Sequence, residues 1–121
     1  RFVKETNIDS FAPALGNVHG IYNGQINLNV ELCDEINKNI NIPLVLHGAS
    51  GISKVDLENS IEAGICKINF NTELQIVWSN ALKRYLQTNG MEYDPRKIIS
   101  SGESELKRVI KEKIAILKSN E

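Results

Sequence analysis

One stretch, residues 43–51, constrains the fold of this chain more than any other. It reads Pro-Leu-Val-Leu-His-Gly-Ala-Ser-Gly, so an apolar run with no polar face ends in a histidine and a glycine-rich loop. A short run of this kind is typical of a strand that is buried on both sides in a parallel sheet. Beyond the loop, Ser53 and Asp56 have the spacing of a capping box, which predicts the start of a helix. An α/β enzyme places its chemistry at the carboxyl ends of its strands by this order of strand, ligand-type side chain, glycine loop and helix.

The same plan occurs on both sides of this stretch. Residues 9–15 form a short apolar run that we expect to be a strand, and the loop Asn17-Val18-His19-Gly20 follows it. Residues 65–69 form a third predicted strand. Helices are predicted over residues 28–39, from Ser53, from Thr72, from Asp94 and beyond Gly102. This alternation predicts parallel strands joined by right-handed crossovers, with the three loops side by side on one face of the sheet.

The predicted fold class is therefore α/β, with about three βα units and additional C-terminal helices. A complete (β/α)8 TIM barrel takes roughly 250 residues, so a chain of 121 residues could supply only about the last three units of one. We predict one partial barrel domain over residues 1–121. Residues 1–6 have the pattern of a helix already under way and include no initiator methionine. We therefore expect a fragment from which the N-terminal strands are absent.

Charge and composition argue against several classes of partner. The formal net charge is −1, so nothing indicates binding to nucleic acid or to an anionic membrane surface. No apolar run approaches the length of a membrane span. The two cysteines, Cys33 and Cys66, are too few for a disulfide scaffold and lie in apolar patterns. We expect both to be small core residues of a cytoplasmic protein.

His19 and His47 occupy equivalent positions, since each stands at the end of a predicted strand and each is followed by a glycine. Two imidazoles that converge there could bind a divalent metal, while the glycines let a substrate approach the backbone. The alternative is that both are loop histidines hydrogen-bonded to their neighbours. Two ligands do not complete a zinc site, which normally has three or four from the protein, so the others would come from sequence outside this chain.

Two loops carry polar groups that could hold a phosphate. Residues 48–51 offer consecutive backbone N–H groups and a hydroxyl just before a helix, although a tight βα turn has the same composition. Residues 69–72 form a second polar cluster, in which Thr72 is also expected to cap the next helix. Lys67 lies two positions before Asn69, so both side chains point to the same side of the strand. Lys67 could be a Schiff-base nucleophile, or it could be held by a buried carboxylate or by backbone carbonyls.

Four segments stand out when the chain is taken as a whole. They are DSFAPALGNVHG at residues 9–20, PLVLHGASG at 43–51, KINFNTE at 67–73 and YDPRK at 93–97. Together, in this order and at these intervals, they resemble the carboxyl-terminal part of class II fructose-1,6-bisphosphate aldolase, and the resemblance runs through nearly the whole chain. Tagatose-bisphosphate aldolases share most of these motifs. Asn71 and residues 93–97 favour the fructose enzyme.

The resemblance implies a (β/α)8 barrel that acts as a homodimer or higher homo-oligomer and binds one zinc ion on its C-terminal face. By motif match, His19 and His47 are expected to be two of the zinc ligands. The residues expected to hold the phosphate and hydroxyls of dihydroxyacetone phosphate are Gly20, Gly48, Ser50, Asn69, Asn71 and Thr72. Arg96 matches an arginine that reaches the other phosphate of the sugar bisphosphate. Family members also bind a monovalent cation, Na+ or K+, near these loops through main-chain carbonyls.

The implied activity is reversible, zinc-dependent cleavage of fructose 1,6-bisphosphate to dihydroxyacetone phosphate and glyceraldehyde 3-phosphate, as in glycolysis and gluconeogenesis. The third zinc histidine, the proton-shuttling aspartate and a glutamate on a mobile loop would lie on earlier strands. No catalytic acid or base is therefore expected in this chain, and we expect the isolated chain to be inactive. Two alternatives stand beside this interpretation. One is a tagatose-1,6-bisphosphate aldolase, and the other is a non-catalytic, phosphate-binding half-barrel that uses these loops without a metal.

Overall fold

The computed structural model describes residues 1–21, 24 and 26–118, which separate into two compact units, Arg1–Asn71 and Thr72–Glu121. The first unit contains α1 (Phe2–Thr6), α2 (Val30–Asn39), β1 (Leu44–Leu46), α3 (Lys54–Glu62) and β2 (Ile65–Ile68). The second unit contains α4 (Thr72–Thr88), α5 (Pro95–Ser100) and α6 (Glu103–Ile116). The α/β class is as predicted, and a single domain over residues 1–121 stays a prediction. None of the described helices combines the length and hydropathy needed to cross a membrane.

The strands β1 and β2 pair in parallel, which confirms the predicted strands at 43–47 and 65–69 apart from their terminal residues. Val45 pairs with Lys67 and Leu46 pairs with Ile68. The preceding pair joins Leu44 to Ile65, so β2 contains one extra residue, Cys66, at a β-bulge. The two strands therefore bring the loops that follow them, after Leu46 and after Ile68, to the same edge of the sheet.

The predicted strand over residues 9–15 is wrong in extent, because among the described residues only Phe11 pairs with the sheet, as a parallel bridge to Leu44. The Phe11 N–H donates to the Pro43 carbonyl at 3.0 Å, and the Val45 N–H donates to the Phe11 carbonyl at 2.8 Å. The next donor of a parallel ladder would be the backbone nitrogen of residue 13, two positions on. Residue 13 is proline and has no N–H, so the ladder ends at Phe11.

Side-chain caps begin α2, α3 and α5. The Ser53 hydroxyl accepts from the Asp56 N–H at 3.1 Å at the start of α3, and the Asp94 carboxylate accepts from the Arg96 N–H at 3.0 Å at the start of α5. Pro95 then occupies the first turn of α5, where its missing N–H costs no hydrogen bond. These two starts confirm the prediction. At α2 the cap is Asn29, whose side chain accepts from the Leu32 N–H, and the helix begins two residues later than predicted.

The core of the first unit is formed by apolar residues of the sheet, of α2 and α3 and of the segment before His19. Its largest fully buried side chains are Leu15, Cys33, Leu44, Leu46 and Leu57. The core position of Cys33 is confirmed, and burial, with the neighbouring Asp34 carboxylate, raises the pKa of its thiol. The prediction that Cys66 is a core residue is wrong. Cys66 is the extra residue of the bulge, and its exposed thiol donates to the Gly64 carbonyl at 3.4 Å.

In the second unit, α4 packs against α5 and α6. The indole of Trp78 lies against Gly102, where a Cβ atom would collide with the ring, so glycine at the start of α6 permits the close approach. The Trp78 N–H donates to the Ile99 carbonyl at 3.2 Å. Lys113 of α6 pairs with Glu73 of α4 at 2.8 Å. The helix α5 ends at Ser100, as predicted, and Gly102 at the start of α6 permits the close contact with Trp78 of α4.

Candidate functional site

The structure brings the two histidines of the sequence together. His19 lies in the loop after the Phe11 bridge, and His47 immediately follows β1. Their ring centroids are 5.7 Å apart and the rings are tilted by 35°. Both residues are exposed at the edge of the sheet. The parallel bridge explains this proximity. Phe11 and Leu44 lie side by side and the chain runs in the same direction from both, so the segments that lead to His19 and to His47 reach the same edge of the sheet.

Gly48 is the residue that allows the two rings to approach. It has φ +65°, a left-handed conformation that favours glycine, and a Cβ atom there would collide with Nδ1 of His19. The same Cβ atom would lie 3.2 Å from the Val18 carbonyl oxygen. The imidazole of His19 therefore rests directly on the backbone of the residue that follows His47.

Asn17 joins the two loops. Its side-chain amide donates to the carbonyl of His47, while its Oδ1 accepts from the Leu15 N–H at 3.2 Å. Sequence reasoning placed Asn17 in the loop and gave it no role. The signal that could have identified it is an asparagine directly after a glycine at a strand end, where a side-chain amide commonly replaces a backbone partner.

Asn69 ties the next loop to His47. Its N–H donates to the Leu46 carbonyl at 2.9 Å, and its carbonyl accepts from the Ala49 N–H at 3.2 Å. Its side-chain nitrogen lies 3.3 Å from Nδ1 and 3.1 Å from Nε2 of His47. Because these distances are nearly equal, the amide borders the ring as a whole and is not directed at one nitrogen. The Lys67 ammonium donates to the Asn69 Oδ1 at 2.7 Å, so its hydrogen-bond partner among the described residues is a side-chain amide and neither a carboxylate nor a backbone carbonyl.

The histidine pair fits part of a zinc site. A zinc ion bound by two imidazole nitrogens at about 2.0–2.1 Å, with a tetrahedral angle between them, sets the ring centroids roughly 5 Å apart. The observed 5.7 Å is close to that separation. Among the described residues no group of three or more His, Cys, Asp or Glu side chains could hold a metal. The structure thus brings the two imidazoles close together, and their role as two ligands of a zinc site stays a prediction.

The glycine-rich loop after His47 is partly committed to internal bonds. The Ala49 N–H donates to Asn69, and the Ile52 N–H donates to the Ala49 carbonyl at 3.2 Å. A tight turn is thus present, and it takes at least one of the N–H groups that a phosphate could have used. Ser50 is half-buried in this loop, whereas Gly20 is exposed in the loop of His19. Their assignment to the substrate stays a prediction.

The remaining predicted residues lie further along the chain. Asn71 is exposed at the end of the first unit, and Thr72 is the first residue of α4, where its capping role stays a prediction. Arg96 lies in α5, with 88% of its side chain exposed. Thr72 and Arg96 belong to the second unit, so their participation in one site with the histidines also stays a prediction.

Arg96 is held by Asp94 in a two-point pair. Its Nε donates to Oδ1 at 3.0 Å and its Nη2 donates to Oδ2 at 2.8 Å. The side-chain and backbone bonds from Arg96 lower the pKa of Asp94, and the pair raises the pKa of Arg96. The guanidinium thus starts from a fixed geometry while most of its surface stays open to solvent. Because Asp94 occupies the Nε–Nη2 edge of the guanidinium, an anionic ligand would use the Nη1–Nη2 edge.

The sequence also matches known proteins. The model of the family described as fructose-bisphosphate aldolase class-II matches residues 1–121. The chain is 43% identical over 114 residues to a 6-phospho-5-dehydro-2-deoxy-D-gluconate aldolase of Bacillus velezensis, which covers 94% of this chain and 39% of that protein. It is 44% identical over 108 residues to a Bacillus subtilis protein described as a probable fructose-bisphosphate aldolase, which covers 89% of this chain and 38% of that protein. The chain thus spans about two fifths of the length of these curated relatives.

Solved structures agree with this relationship. The YdjI aldolase from Escherichia coli K12 is similar with a TM-score of 0.77 and 36% identity, over 96% of this chain and 42% of that one. Fructose-bisphosphate aldolase from Campylobacter jejuni is similar with a TM-score of 0.73 and 25% identity, over 90% of this chain and 39% of that one. The similarity to these folds agrees with the predicted architecture. Because the family model also matches the whole sequence, the chain belongs to the class II fructose-bisphosphate aldolase family.

Proposed function

We propose that the protein carrying this chain is a zinc-dependent aldolase that cleaves a phosphorylated ketose, with fructose 1,6-bisphosphate as its first substrate. The observation that carries the proposal is the pair of imidazoles, His19 and His47, whose centroids lie 5.7 Å apart over the backbone of Gly48. Family membership supports the reaction type, and the imidazole pair supports the metal. We further propose that the working protein is a cytoplasmic homo-oligomer with a barrel fold.

The substrates named for the relatives share one half. In fructose 1,6-bisphosphate the carbonyl lies next to the phosphorylated C1, and in 6-phospho-5-dehydro-2-deoxy-D-gluconate it lies next to the phosphorylated C6. In both, the bond between C3 and C4 is the one that joins a carbon beside the carbonyl to a carbon bearing a hydroxyl. Breaking it leaves an electron pair beside the carbonyl and releases dihydroxyacetone phosphate after proton uptake. We therefore propose that the site binds the part of the substrate that leaves as dihydroxyacetone phosphate.

The residues of this chain would bind and orient that half. His19 and His47 would hold the zinc ion, which when bound supplies Lewis-acid polarisation to the ketose oxygens. The Asn69 amide, beside His47, would donate to a substrate oxygen. The phosphate would be held by Gly20, Gly48, Ser50, Asn71 and Thr72, and a Na+ or K+ ion is proposed near the same loops. Binding energy from the phosphate fixes the reacting carbons in place, and we propose that proton transfer belongs to residues outside this chain.

Substrate choice would depend on the other end of the molecule. Fructose and tagatose bisphosphates carry a second phosphate there, whereas the deoxygluconate carries a carboxylate. Arg96 could bind either anion, since a guanidinium forms two-point contacts with both. The exposed Arg96–Asp94 pair supports a role in recognising this end, and the 43% identity to a deoxygluconate aldolase makes that compound the main competing substrate.

Two rival functions remain open to experiment. In one, the loops bind a phosphate without metal or catalysis, since no acid–base residue is assigned within this chain. In the other, Lys67 acts as a Schiff-base nucleophile. The bond from Lys67 to the Asn69 Oδ1 favours a positional role over a nucleophilic one, because the ammonium already donates at 2.7 Å.

The test uses the protein expressed from its complete reading frame. Zinc content is measured first, and then the cleavage of fructose 1,6-bisphosphate, tagatose 1,6-bisphosphate and 6-phospho-5-dehydro-2-deoxy-D-gluconate, with and without a chelator. We expect bound zinc, loss of activity with the chelator and its return with Zn2+. The variant His47→Ala is expected to lose zinc and to reduce turnover by more than about 100-fold. Lys54→Ala, which changes an exposed lysine of α3, is the matched control.

Each rival predicts a different result. Covalent trapping by borohydride with substrate, lost in Lys67→Ala, would establish the Schiff-base enzyme in place of the zinc enzyme. Phosphate binding with neither zinc nor cleavage would establish the non-catalytic module. Cleavage of the deoxygluconate in preference to both bisphosphates would keep the reaction and change the substrate.

A further inference from the structure

The side chain of Lys67 determines which way the Asn69 amide faces. An ammonium group has only donors, so the atom of Asn69 that receives its 2.7 Å bond must be the oxygen, Oδ1. The other end of the amide, the NH2 group, then faces the imidazole of His47 at 3.1 and 3.3 Å from its two nitrogens. Oxygen and nitrogen of an asparagine amide are otherwise interchangeable in shape. The bond from Lys67 therefore determines that the NH2 group of Asn69, and not its oxygen, faces the imidazole of His47.

The backbone at both ends of this contact is fixed by the sheet. Lys67 pairs with Val45 in the parallel ladder, and the Asn69 N–H donates to the Leu46 carbonyl at 2.9 Å. The bulge at Cys66 lies just before Lys67 and determines that Lys67, and not Cys66, pairs with Val45. Lys67, Asn69 and His47 thus form a chain of contacts at the carboxyl ends of two paired strands.

We propose that Lys67 is a positioning residue: it orients the Asn69 amide and, through it, the ring of His47. This inference rests on the proposed function, because it matters for catalysis only if His47 binds the metal. Without Lys67 the amide can turn and present Oδ1, an acceptor, to the imidazole. A ligand histidine is oriented by the groups around it, and losing such a group typically costs 10–100-fold in metal affinity or activity.

The experiment compares five variants of the protein expressed from its complete reading frame. Lys67→Met removes the donor and keeps the length of the side chain, whereas Lys67→Arg keeps a donor. Asn69→Ala and the double variant with Lys67→Met complete a double-mutant cycle. Lys54→Met is the matched control, since Lys54 is an exposed lysine that pairs with Glu58 on α3. Thermal melting checks that each variant folds, and Lys67→Leu, which also lacks a donor, replaces Lys67→Met if the latter does not.

Three kinds of measurement are made. The first is the dissociation constant of Zn2+, by competition with a chelator. The second is kcat and KM for fructose 1,6-bisphosphate, and the third is the set of ring 1H–15N signals of His47 in the metal-free protein. Lys67→Met is expected to weaken Zn2+ binding and lower kcat by about 10–100-fold, with Lys67→Arg much closer to the wild type. In the Asn69→Ala background, Lys67→Met should add less than about a twofold further change.

The outcomes separate this inference from the proposed function. If Lys67→Met behaves like Lys54→Met, or if its effect is unchanged in the Asn69→Ala background, Lys67 does not act through Asn69 and the inference is overturned while the enzyme stands. If the wild-type protein binds no Zn2+ and cleaves nothing, the proposed function fails. The His47 ring signals then decide the inference alone. They support it if Lys67→Met and Asn69→Ala shift them and Lys54→Met does not, and they overturn it if Lys67→Met leaves them unchanged.

Discussion

At the scale of single residues, Gly48 links backbone conformation to the geometry of the site. Any side chain there would meet two separate obstacles. One is the positive φ of +65°, and the other is the His19 imidazole, which occupies the space that a Cβ atom would need. The first obstacle acts on stability, since a non-glycine residue in the left-handed region costs roughly 1–2 kcal/mol. The second acts on the histidine pair, because the ring must move away.

Replacing Gly48 by alanine is therefore expected to damage zinc binding more than folding. Gly48→Ala should raise the Zn2+ dissociation constant at least about 10-fold, as expected for a misplaced ligand, measured by competition with a chelator. Gly51→Ala is the matched control, because Gly51 also has a positive φ, +85°, but a Cβ atom there would make only an ordinary contact at 3.7 Å. Both variants should lose stability, and only Gly48→Ala should lose zinc. Equal zinc affinity in the two variants would contradict the steric argument.

Spacing and residue type predicted His19, His47 and Asn69 as neighbours, because parallel strands bring equivalent loop positions together. The same reasoning did not predict the bonds made by Asn17 and Lys67. Those bonds depend on side-chain rotamers and on the bulge at Cys66, and neither leaves a trace in hydrophobic periodicity. Sequence thus predicted which loops meet, and the structure was needed to show how their side chains are held.

At the scale of elements, the segment leading into α5 is organised around one carboxylate. Glu92 accepts from the Tyr85 hydroxyl at 3.2 Å, from the backbone N–H of Asp94 at 3.1 Å, and from the Lys97 ammonium at 3.2 Å. The bond from the Asp94 N–H, followed by that from Lys97, lowers the pKa of Glu92. Since Asp94 in turn caps α5 and holds Arg96, the orientation of Arg96 depends on two ionised carboxylates.

This dependence predicts local opening in acid. A carboxyl group whose pKa is lowered by folding contributes stability above its ordinary pKa and loses that contribution as pH falls through the lowered value. Hydrogen exchange at the Tyr93, Asp94 and Arg96 amides, corrected for intrinsic rates, should therefore accelerate below about pH 4. The amides of α6 should change less. In Glu92→Gln the Tyr93 and Asp94 amides should be less protected at neutral pH and nearly independent of pH, whereas the Arg96 amide, which donates to Asp94, should still lose protection in acid. Equal protection at pH 3 and pH 6 in the wild type would contradict the prediction.

Helix boundaries were the most predictable elements, because caps and breakers are local. Ser53 and Asp94 with Pro95 act where the sequence placed them, and α5 ends at Ser100 as predicted. The strand at residues 9–15 was not predictable in extent, since its apolar pattern continues through Pro13 while the ladder needs an N–H there. A proline ends a ladder only where its missing N–H would have pointed at the neighbouring strand, and the sequence does not show which residues have that orientation.

At the scale of the whole molecule, the sheet within the described residues has far fewer strands than the closed sheet of a barrel. Within residues 1–21, 24 and 26–118, β1 pairs with β2 on one side and with Phe11 alone on the other. A closed barrel has no free strand edges, whereas an open two-stranded sheet presents unpaired N–H and C=O groups to solvent. Large apolar side chains are also exposed, with Met91 at 93% and Ile99 at 56%.

We therefore expect the 121-residue chain, expressed by itself, to associate through these edges or to require the remaining strands as a separate companion chain. Sedimentation equilibrium and thermal melting test this expectation over a range of concentrations. An exposed thiol could link two chains by a disulfide, so the measurement is repeated with Cys66→Ser under reducing conditions. Association through the strand edges should persist in this variant. A monodisperse monomer of 13.5 kDa that melts cooperatively would contradict the prediction. Such a monomer would mean that the two paired strands, the Phe11 bridge and the helices bury enough apolar surface to fold alone, and the non-catalytic half-barrel would then become the stronger interpretation.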